Sequence, residues 1–133
     1  MSSFAVSLKN TTDTSLNTGF RSGMTSVLAM PSYTPQARWD TLYFDTPFLW
    51  DGSSNLVVET CFDNTGSPSA SSFPVHYNVP FTLSSYRTTY YTGSGGCGSS
   101  ASFIHYVRPI IKFVWQPKKY EWSPVTGLNR SAI

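Results

Sequence analysis

Charge is what this sequence has least of. Asp, Glu, Lys and Arg make up 12% of its 133 residues, about half the share of an ordinary soluble domain. Nine basic residues against seven acidic ones leave a net charge of +2. That excludes a nucleic-acid binder working through a basic face, and the composition excludes a disordered tail driven by charge. No apolar run approaches the roughly 20 residues of a membrane span. Met1 is followed by Ser2, Ser3 and Phe4, with neither the basic nor the apolar stretch of a secretory signal. Apolar residues nowhere recur at helical spacing over three turns, which excludes a coiled coil and a helical bundle. Cysteine occurs only at Cys61 and Cys97.

In place of charge stand 21 Ser, 15 Thr and 16% aromatics, punctuated by nine Gly and nine Pro. Aromatic and β-branched residues favour strands, and Gly, Pro and Ser favour the turns between them. At this length the chain makes one domain, with room for a fragment of a second. Such a domain hides about two-thirds of its unfolded surface.

The strands can be placed. Phe4-Ala5-Val6-Ser7-Leu8-Lys9 alternates apolar and polar residues, as a strand with one buried face does. Thr25–Met30 is a second strand, closed by Pro31. Trp39–Asp45 reads as a third, ended by Pro47. Asn55–Phe62 is apolar on both faces, which predicts an internal strand. Residues 63–72 form a polar loop, and 92–101 form a Gly- and Ser-rich one. Further candidates are Phe73–Val79, Phe81–Tyr91, Phe103–Val107 and Pro109–Trp115. Eight or so short strands with turns between them predict an all-β protein, an antiparallel sandwich of jelly-roll type. Trp39, Leu56, Val58, Phe62, Ile111 and Phe113 are the expected core. Residues 1–116 make the sandwich module. In residues 117–133, Pro117-Lys118-Lys119 reads as a linker, and Tyr120-Glu121-Trp122 begins a strand that has no partner of its own.

Several segments resemble a β-sandwich module of large secreted and cell-surface proteins of Bacteroidota, the kind exported by the type IX secretion system and including gliding adhesins. They are residues 4–12 (FAVSLKNTT), Phe20 with Gly23, Tyr33-Thr34-Pro35 before Trp39, residues 44–59 (FDTPFLWDGSSNLVVE) and residues 108–113 (RPIIKF). Residues 120–128 (YEWSPVTGL) resemble the opening of the immunoglobulin-like or PKD-like module that often follows. The resemblance implies secretion or surface display, neighbouring modules of the same chain as partners, and a surface glycan or protein as ligand. Such modules carry strands before the equivalent of Phe4, so the module is expected to be truncated at its N-terminus.

The chemistry-bearing residues are few. Cys61 in a strand and Cys97 in a loop are compatible with a disulfide, or with two thiols. Gly95-Gly96-Cys97-Gly98 superficially resembles a cysteine-nucleophile loop, but a nucleophile needs a base and an orienting carboxylate. His76 and His105 do not supply that pattern, nor a third ligand for a metal. No catalytic constellation is expected, so the chain reads as non-enzymatic. Asp45, Asp51, Asn55 and Asp63 carry the hard oxygen ligands that calcium takes in sandwich loops, although these are also ordinary turn residues. Tyr90, Tyr91 and Trp50 are the candidates for stacking against a glycan. Two functions follow: a non-catalytic structural, display or adhesion module, or a carbohydrate-binding module attached to a secreted enzyme.

Overall fold

A computed structural model describes residues 1–36, 38–63, 77–78, 86–88, 103–105 and 108–115. Those residues hold strands and no helix. Alternation in the first segment is borne out: Phe4, Val6 and Leu8 are buried, while Ala5 and Ser7 between them are less so. This strand, β1 (Ser2–Thr11), is longer than the periodicity alone indicates and pairs antiparallel on both sides. On one side lies β2 (Thr25–Ser32), on the other β3 (Asn55–Asp63), giving the order β2-β1-β3. Among the described residues β1 is therefore the central strand and β3, expected to be internal, flanks it. Apolar residues on both faces of β3 reflect partial burial of Leu56, Val57 and Val58, without a second partner strand among the described residues.

Two bulges shape the sheet. Val6 faces Leu28 while Ser7 faces Ser26, so Val27 is an extra residue in β2. An extra residue breaks the strict alternation of faces, and Val27 and Leu28, neighbours in sequence, are both buried. The Val27 carbonyl, released from the ladder, accepts the amides of Asp45 (2.8 Å) and Thr46 (3.1 Å). The Asp45 carboxylate also accepts the Ala29 amide at 3.3 Å. This cover protects the outer edge of β2, and Pro31, which has no N–H to donate, adds to the same protection. The second bulge is in β1, between Ser2 and Ala5. Ser3 there adopts φ 52°, a left-handed conformation that costs a non-glycine residue roughly 1–2 kcal/mol.

Because β2 and β3 both run antiparallel to β1, they run parallel to each other, and their connection must travel the length of the sheet. Residues 33–54 do so across its apolar face. Tyr33, Leu42 and Phe48 from this crossover pack on the core of Phe4, Val6, Leu8, Val27 and Leu28. At its start the Tyr33 and Phe4 rings lie 4.4 Å apart between centroids. Met1 and Tyr33 exchange two main-chain hydrogen bonds, at 2.9 and 3.0 Å.

The crossover explains a misreading. Trp39–Asp45 is not a strand; it spans the sheet as irregular chain, and Trp39 is 70% exposed. Pro109–Trp115 is likewise not a long strand. Arg108–Pro109 (β7) pairs with Tyr77–Asn78 (β4), and residues 110–115 follow without strand structure. Ile111 and Phe113 are exposed, as is Phe62 at the end of β3. Of the expected core, Leu56 and Val58 alone pack against the buried cluster. Tyr86–Thr88 (β5) pairs with Phe103–His105 (β6). Residues 117–133, read as a linker and second module, lie outside the described residues. No described helix is long and apolar enough to cross a membrane.

Candidate functional site

The groups with chemical potential gather at the end of the sheet where β1 finishes and β3 begins. Two connections meet there, residues 12–24 and the last part of the crossover. Arg21 organises the first. Its Nε pairs with the Asp13 carboxylate, its Nη1 donates to Thr18 Oγ1 (3.1 Å) and the Gly19 carbonyl (2.9 Å), and its Nη2 donates to the Ser15 carbonyl (2.8 Å). A planar guanidinium suits this fork of acceptors and an ammonium does not. Arg21, followed by the Thr11 hydroxyl, holds the Asp13 carboxyl below the usual carboxylate range. Lys9 Nζ donates to the Ser22 carbonyl at 2.6 Å and ties the same loop to β1.

The second connection ends in the turn Asp51-Gly52-Ser53-Ser54. Asp51 Oδ1 accepts the amides of Ser53 (2.9 Å) and Ser54 (2.6 Å), as a turn-forming Asp does. Gly52 sits at φ 80°, where a side chain would be strained. Hydrogen bonds from Ser54, first its side chain and then its backbone, and from Ser53 pull the Asp51 carboxyl down to about 2. Trp50 Nε1 donates to the Ser54 carbonyl at 2.9 Å. Asn10 Nδ2 donates to the Leu49 carbonyl (3.1 Å), and Asn55 Nδ2 donates to the Asp13 carbonyl (2.9 Å). Side chains of β1 and β3 thus fasten both connections. Leu49 and Trp50 project beyond them, 82% and 54% exposed.

The calcium candidates are spread out. Asp51 and Asn55 lie at this end, Asp45 sits on the edge of β2, and Asp63 lies at the far end of β3 beside Ser2. Asn55 and Asp63 are eight steps apart along the strand, about 26 Å at the usual rise. Among the described residues no three of His, Cys, Asp and Glu gather as a metal site. Of the stacking candidates, Trp50 is described; Tyr90 and Tyr91 lie outside the described residues. Cys61 is disulfide-bonded, whereas Cys97 and His76 lie outside the described residues. Of His105 only the backbone is described, in β6.

Sequence reasoning singled out Trp50, Asp51 and Asn55 separately, without the contacts that join them. Arg21 and Asn10 escaped it altogether. The signal available for Arg21 was a lone cation in a polar loop that also holds Asp13, eight residues away. Asn10 carries no such signal, because its partner lies 39 residues on.

At the opposite end of the sheet Ser3, Phe4, Ala5, Ala29, Met30 and Pro31 line a shallow open depression. Its lining is uncharged. Comparison with known proteins finds no matching family model, no matching curated protein and no matching solved structure.

Proposed function

We propose that the chain is a non-catalytic β-sandwich module of a larger secreted or surface-exposed protein, with a structural, display or adhesion role. The observation that carries this reading is the disulfide at Cys61. Disulfides persist in oxidising surroundings and are rare in the reducing cytosol. Cys97 is the chain's one other cysteine, and we assign it as the intramolecular partner. The low charge and the abundance of Ser and Thr agree with an extracellular setting, as does the resemblance to Bacteroidota surface modules exported by the type IX system. The three-stranded antiparallel sheet supports a sandwich, of which it would be one layer.

Brief protease treatment of intact source cells tests the location. Peptides of this chain should be released before lysis. Release only after lysis would overturn the surface assignment.

A carbohydrate-binding module is the second reading. One observation favours it: Trp50 is exposed on a turn that is fixed by hydrogen bonds on either side.

A further inference from the structure

We draw no further inference here: the strongest candidate, the exposed apolar patch of residues 110–115 that follows β7, carries nothing because nothing among the described residues shows what covers it.

Discussion

Leu8 and Phe113 mark the two ends of a burial scale that composition alone does not order. Leu8 is 1% exposed at the middle of the central strand, and Phe113 is 44% exposed. Leu8→Ala should cost about 2–5 kcal/mol in urea unfolding, the loss typical of a buried leucine. Phe113→Ala should cost under about 1 kcal/mol, as an exposed substitution does. Equal losses would show that residues 110–115 belong to the core. Tyr33 makes a second residue-scale prediction. Burial first, then its hydrogen bond to Asp40 (2.6 Å), raises its phenol to about 12. The folded state therefore holds this proton more tightly than the unfolded chain, whose phenol titrates near its ordinary value of 10.0. The contribution is fully present below pH 10 and is lost as pH rises towards 12. Urea midpoints measured across that window should fall, and Tyr33→Phe should remove this part of the slope. A slope unchanged by the substitution would refute the assignment.

At the scale of elements, period-2 alternation located β1, because a half-buried strand repeats every second residue, and the short run Thr25–Met30 before Pro31 located β2. It failed where tertiary demands overrode local preference. Trp, Tyr and Phe within Trp39–Asp45 favour a strand by propensity, but a crossover between parallel strands needs that stretch as connecting chain. Successive burial of Val27 and Leu28 required a bulge, and no local residue pattern announced one. The site was legible as residue types, a Trp beside an Asp-Gly turn, and illegible as contacts, because Asn10 and Asn55 reach 39 and 42 residues along the chain. The loop of residues 12–24 gives the prediction at this scale. Arg21→Lys keeps the charge and loses the fork of donors. Amides around residues 13–19 should exchange with solvent faster, while those of β1 stay protected. Stability should fall by about 0.5–1.5 kcal/mol, the net contribution of a typical hydrogen bond. Unchanged exchange would show that Lys9 and Asn55 alone hold the loop.

At the scale of the molecule, the described core is small: five buried apolar residues, closed over by a crossover loop. A sheet of this size is helped by a covalent tie. A bond between Cys61 and Cys97 would close a loop of about 35 residues and stabilise the fold by about 3–4 kcal/mol on the chain-entropy account. Its redox state joins fold to location, because the same bond that supports the sheet would not endure in a reducing cytosol. The decisive measurement is mass spectrometry of the protein taken from its source cells, with free thiols alkylated at lysis and digestion under non-reducing conditions. A peptide pair linked through Cys61 and Cys97, released by reductant, is the predicted result. Both cysteines recovered as alkylated thiols would contradict the account of an oxidised surface module.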